Sequence, residues 1–241
     1  MKQFLILIQG DFKNISRDRM FLFILVSPFL MGLGFKLLIP FLEKILWEYL
    51  SFSLFPHYTF IMAFVLMLIP LIQGMMIGFM ILEDRDQHLL SYFAVTPLSR
   101  LHYLGRRLVS SVFISLVFSV FIIYFLNLVE VKILQTLPVF LMAAMEAPLL
   151  ALFIGTYADN KVEAFALSKG AGILFFAPLA GYLLESKWSY LVGIFPTFWI
   201  GESFLAVYQG TGSYVFTLLC GYLCHLIFII FLLKKFRNRV E

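Results

Sequence analysis

Few residues in this chain are of types that do chemistry inside an apolar setting, so each one is informative. Glu146 stands within a long apolar run, two residues before Pro148. A carboxyl at that depth is costly in hydrocarbon and marks a functional site by default. It would bind a cationic substrate or carry a proton; equally, protonated or paired with a neighbouring helix, it would serve packing alone. No Lys or Arg within the apolar runs presents itself as a partner. Cys220, Cys224 and His225 form a C-x-x-x-C-H string. The two cysteines share a helix face, His225 is rotated away from them, and no further Cys completes a tetrahedral metal site. They read as small core or lipid-facing residues. Only His225 of the four histidines lies in an apolar run, far in sequence from Glu146. An intramembrane protease or transferase, which needs convergent His, Asp or Glu groups, has little to work with.

The second segment of interest is polar. Glu83 to Arg107 reads EDRDQHLLSYFAVTPLSRLHYLGRR. The acidic start at Glu83, Asp84 and Asp86, with Arg85 between, favours a helix N-terminus; Leu89, Leu90, Tyr92, Phe93 and Val95 cover a short helix, and Thr96-Pro97 ends it. A helix this apolar wants the membrane surface or a groove on a partner. Neither a G-x-x-x-x-G-K-[ST] phosphate loop nor a G-x-G-x-x-G fingerprint occurs, so the chain lacks the parts for phosphoryl transfer.

The elements that must position these groups follow from composition. Of the 241 residues, 62% are hydrophobic and 13% charged, and the mean hydropathy is +0.96. A soluble domain has roughly half apolar and a quarter charged residues, so the bilayer must be the solvent for most of this chain. Its spans must then be helices, because the Phe, Leu and Ile runs are too long for barrel strands of about ten residues. Runs of about 20 apolar residues fall at roughly 20–42, 59–82, 108–129, 133–157, 170–184 and 213–233. The stretch 191–209, broken by Pro196, Gly201 and Glu202, reads as a re-entrant or interfacial outer element. Trp188, Tyr190, Trp199 and Tyr208 cluster at that boundary as interfacial anchors do.

This layout puts fourteen of the 18 Lys and Arg on one side, which makes that side cytoplasmic, with both termini there. The formal charge of +4 is scattered between apolar blocks and builds no nucleic-acid face. Residues 1–19 place Phe4, Leu5, Ile8, Phe12 and Ile15 on one helical stripe and Lys2, Gln9, Lys13 and Arg17 opposite, the pattern of an interfacial helix. They carry charge throughout and no cleavage site, unlike a secretory signal. Gly74-x-x-x-Gly78 permits close helix packing. The fold expected is a single all-α transmembrane domain over 1–241, with six spans.

The acidic-Arg-acidic start, the spacing to Val95-Thr96-Pro97-Leu98-Ser99-Arg100 and the basic exit Arg106-Arg107 resemble the intracellular loop of type 2 ABC-transporter permeases. Asn160-Lys161-Val162-Glu163-Ala164 leading to Lys169, and Phe195-Pro196-Thr197-Phe198-Trp199, resemble the subgroup of fluoroquinolone exporters. His88 departs from the glycine usual there. The resemblance covers essentially the whole chain. It implies that residues 83–107 are a coupling loop: its short helix, with Leu89, Leu90, Tyr92, Phe93, Val95 and Pro97, docks on a separate ATP-binding subunit, and Asp84, Arg85 and Asp86 form its charged rim. It further implies a second permease subunit, identical or related, and a plasma-membrane location. This chain then holds no cofactor of its own, and ATP and Mg belong to the partner subunit; apart from the resemblance, the functional reading of Glu146 puts it on the substrate path. A secondary transporter or channel not driven by ATP is the alternative class; it would favour two related halves, and no internal symmetry is evident.

Overall fold

The computed structural model describes residues 19–87, 100–184, 187–210 and 212–240. The N-terminal stripe up to residue 18 and, in the connection, Leu89, Leu90, Tyr92, Phe93, Val95 and Pro97 lie outside the described residues, as does the Trp188 side chain. Nine α-helices are described: α1 (Arg19–Leu50), α2 (Tyr58–Asp86), α3 (Arg100–Leu126), α4 (Ile133–Ala144), α5 (Glu146–Tyr157), α6 (Lys161–Gly170), α7 (Phe176–Leu183), α8 (Pro196–Gln209) and α9 (Tyr214–Val240). Tighter 3-10 turns occupy Phe55–His57, Ala171–Phe175 and Lys187–Ile194, and no strand occurs among the described residues.

Among the described residues six stretches are long and apolar enough to cross a membrane: Leu22–Leu50, Phe55–Asp86, Tyr103–Leu126, Ile133–Tyr157, Lys161–Leu183 and Tyr214–Arg239. They match the six expected runs, but the first continues eight residues beyond position 42 because Pro40 sits mid-helix without ending it. The fifth begins at Lys161 rather than near 170 because a polar capped turn opens it. Asn160, the N-cap, accepts from the Glu163 N–H (2.9 Å), satisfying an orphan donor of α6, and Glu163 reaches back to accept from the Asp159 N–H just before the cap (2.8 Å).

The second and fourth spans form the core, with 67% and 72% of their most apolar stretches buried against 17–33% for the other four. Glycine makes their seam. A Cβ at Gly74 would lie 2.5 Å from the Ala147 carbonyl oxygen, and one at Gly78 would lie 2.9 Å from Ile154 Cβ. The Gly74-x-x-x-Gly78 spacing therefore seats α2 on α5 within the chain.

Two spans are interrupted, and proline explains both. Pro148 has no N–H for the Ala144 carbonyl. The helix tightens there, with Met145 N–H donating to Met142 O (3.1 Å) and Leu149 N–H stretching to Met145 O (3.4 Å). The fourth span is thereby split at Met145 into α4 and α5. In the fifth span Pro178 likewise frees the Leu174 carbonyl beside the turn Ala171–Phe175. The Thr197 hydroxyl donates to that carbonyl at 2.6 Å, the way a freed backbone group is re-satisfied where no water is available.

Thr197 belongs to a hairpin made by Lys187–Ile194 and α8, which folds back at Phe195, where ψ is 128°. Pro196 starts α8 at a position where its missing N–H is no loss. Trp199 fastens the two arms by donating from Nε1 to Gly193 O (2.7 Å). Trp199 is 8% exposed and packs edge-on against Phe198, so it is a core strut rather than the interfacial anchor expected. Its amphipathic ring fits either role, and only the hairpin decides. Tyr190 remains largely exposed.

Candidate functional site

Two groups of polar residues stand out in this apolar bundle. The first closes the base of the connection between α2 and α3. Asp84 was expected as an exposed rim charge, but it is buried and takes the Arg107 guanidinium at 2.9 Å, both side chains being about 5% exposed. The Tyr103 hydroxyl also donates to Asp84, and Arg107 lies over the Tyr103 ring. One turn of α2 supplies the rest. Glu83 meets Lys161 at 3.7 Å. Arg85 donates to the carbonyls of Ala158 (2.9 Å) and Asp159 (3.0 Å), which the end of α5 leaves unpaired. Asp86 is exposed. At the same end Arg239 of α9 donates to Thr156 O and pairs with Asp159, and Lys235 donates to the Tyr157 hydroxyl at 3.0 Å. Thus α2, α3, α5, α6 and α9 are tied together where the connection leaves the bundle.

The second group lies mid-bundle. Glu146 opens α5, immediately after the break, where the positive end of the half-helix favours a carboxylate. Its partner is His225 of α9: Nε2 lies 3.3 Å from Glu146 Oε1, and both side chains are fully buried. His225 Nδ1 is 2.7 Å from the Gly221 carbonyl. A carbonyl only accepts, so Nδ1 carries a proton. A bare Nε2 against a bare carboxylate would set two acceptors face to face; the pair therefore shares one proton, on Nε2 or on Glu146. Neither carboxylate oxygen and not Nε2 makes a well-directed hydrogen bond.

A cavity of about 410 Å³ opens beside Glu146. Its walls come from α5 (Leu150, Phe153), the turn Ala171–Phe175, the hairpin bend at Phe195 and α9 (Phe228, Phe231). The irregular backbone at Met145, Ala171–Phe175 and Phe195 thus meets around one cavity. In hydrocarbon such backbone is tolerated only when buried in protein or lining a cavity.

At the opposite end a second cavity of about 510 Å³ is bordered by Lys132, Gln135, Tyr208 and Tyr214. Burial, with Tyr124 and Glu130 adding to it, pushes the Tyr208 phenol up to about 12. Among the described residues no three His, Cys, Asp or Glu converge as metal ligands. Cys224 faces the Ile194 carbonyl at 3.6 Å instead. Sequence reasoning missed His225 as the partner of Glu146, since 79 residues separate them. It also missed Gln73, fully buried on α2 with neither amide atom hydrogen-bonded; a lone polar residue in an apolar run was the available signal.

Six membrane-length helices among the described residues, with broken spans, one buried acid–base pair and a cavity beside it, are the architecture of a multi-pass transport permease. The chain belongs to the family of "Fluoroquinolones export permease protein Rv2686c-like" proteins, whose family model matches residues 11–233. Similar relatives are the fluoroquinolones export permease proteins MT2760 and Rv2686c of Mycobacterium tuberculosis strains CDC 1551 / Oshkosh and ATCC 25618 / H37Rv. Each is 24% identical over 234 residues, covering 96% of this chain and 92% of the relative. No solved structure matches the chain.

Proposed function

We propose that this chain is the membrane-spanning subunit of an ATP-driven exporter, working with a second permease subunit and a separate ATP-binding subunit that docks on residues 83–107. The observation that supports this best is the buried Asp84–Arg107–Tyr103 closure. An interior ion pair adds little net stability over apolar packing but fixes one geometry. Placed at the base of the connection, it makes α2 and α3 answer together to any push on the loop between them. α2 in turn carries the glycine seam to α5, so the push reaches the helix that bears Glu146. This is the rigid coupling a mechanical drive needs. The basic residues gathered at this end support a cytoplasmic location for it and for both termini, and an export role fits a plasma-membrane location. The relatives' names make an amphipathic drug such as a fluoroquinolone a reasonable cargo.

A second reading, a transporter driven by an ion gradient, is favoured by the broken spans and the mid-membrane acid, which such proteins use. Copurification separates the two. With Tyr92 and Phe93 changed to alanine, the chain should still insert in the membrane but lose its ATP-binding subunit and the stimulation of its ATP hydrolysis. Unchanged copurification and hydrolysis would remove the connection as the docking element.

A further inference from the structure

The cavity beside Glu146 has one charged group in an otherwise apolar lining, and that group is poorly held. Ordinary buried carboxylates are hydrogen-bonded. Glu146 is fully buried and has no well-directed hydrogen bond, and among the described residues the ion-pair contact it makes is with His225 at 3.3 Å. The remaining wall is Leu, Ile, Phe, Ala, Gly and Pro apart from Tyr157. A ligand complementary to that surface has an apolar body of a few hundred cubic ångströms and one positive charge.

We propose that this cavity binds hydrophobic monocations and that each cation bound displaces one proton from the Glu146–His225 pair. The exchange follows from charge balance. At rest the pair is neutral as a unit, with Nδ1–H held by Gly221 O and one further proton between Nε2 and the carboxylate. A cation entering while that proton stayed would leave a net charge in an apolar cavity, which is strongly unfavourable. When the proton leaves to solvent, Glu146 is a carboxylate, His225 is the neutral Nδ1–H form, and the carboxylate meets the cation. One positive charge enters and one leaves.

The surroundings do not supply another exchanger. On α5 the nearest titratable group is Tyr157, at the far end of the cavity and tied to Lys235. On α9 the thiol of Cys224 faces the hairpin carbonyls of Gly193 and Ile194. From α8, Glu202 lies against Gly181 of α7, and from α6 Lys169 is exposed beside Phe165. α2 presents the neutral Gln73, one residue from the seam with α5. This inference rests on the transport-permease reading but not on the source of the drive, because it concerns binding by the chain alone.

The test is equilibrium binding of tetraphenylphosphonium to the purified full chain in lipid nanodiscs, followed calorimetrically in two buffers of different ionisation heat. The wild-type dissociation constant should fall as pH rises, by up to about tenfold per pH unit, with one proton released per cation. Glu146→Gln should bind at least about tenfold more weakly and without pH dependence. Glu146→Asp keeps the carboxyl and should keep the pH dependence, which guards against a folding defect in the amide variant. Tetraphenylborate, of similar shape and opposite charge, should bind no more than to empty nanodiscs. Wild-type binding without pH dependence or proton release would overturn the proposal. So would Glu146→Gln binding as tightly as wild type, or tetraphenylborate competing at the same site.

Discussion

Asp84 and Glu146 are both buried acids in an apolar bundle, 5% and 0% exposed, yet their surroundings are opposite. Asp84 receives a guanidinium and a phenol. Glu146, fully buried, has one histidine at 3.3 Å and borders a cavity. A charge that must stay put is surrounded by donors, because each bond it accepts stabilises one arrangement. A charge that must exchange partners is held by one contact that can be given up. The difference separates a lock from a site, although both are aspartate or glutamate in the same molecule.

Variants should bring out that contrast as a descending series of stability losses. Arg107→Ala leaves Asp84 buried without its guanidinium and should cost about 3–5 kcal/mol, read as lowered thermal stability and poor recovery from the membrane; a loss under about 1 kcal/mol would mean the lock is an ordinary surface pair. Tyr103→Phe removes a single hydroxyl donor to the charged carboxylate and should cost about 1.5–3 kcal/mol by the same measurement. Gly74→Ala places a methyl against the Ala147 backbone, which cannot move aside as a side chain could. A loss of about 1–3 kcal/mol is expected, whereas Gly34→Ala, with nothing within 4 Å, should be nearly neutral. Glu146→Gln belongs at the bottom, at about 1 kcal/mol or less, because it breaks no well-formed hydrogen bond. If Glu146→Gln destabilised the chain as much as Arg107→Ala, the two acids would be alike and the contrast would be lost.

Much of the architecture was legible in the sequence because the bilayer imposes it: a run of apolar residues long enough to cross has few alternatives to a helix. Glu146 was legible for the same reason, as an acid where acids are costly. His225 was visible too, but its pairing was not. Contact between the fourth and sixth spans is decided by how helices pack, and no periodicity within one span reports on another. Asp84 and Arg107 illustrate the same limit. Each was noted as part of a charged connection, yet nothing local says that they turn inward and meet. The run 133–157 reads as one span although Pro148 carried the signal for its break, and Asn160 with Glu163 carried a cap whose chemistry is local. That is why the start of α6 has a ready explanation, whereas the hairpin at Phe195, which depends on Thr197 reaching Leu174 across 23 residues, needed the structure.

If the end bearing the lock takes the drive while the cavity takes the cargo, transport in everted membrane vesicles containing this chain and its ATP-binding subunit should follow ATP and not the proton gradient. Uptake of tetraphenylphosphonium is measured with ATP present and the proton gradient collapsed, then with a proton gradient imposed and no ATP. Uptake is expected in the first condition, abolished by Glu146→Gln, and none in the second. Uptake driven by the gradient alone, with ATP having no effect, would contradict it and make the chain a gradient-driven transporter.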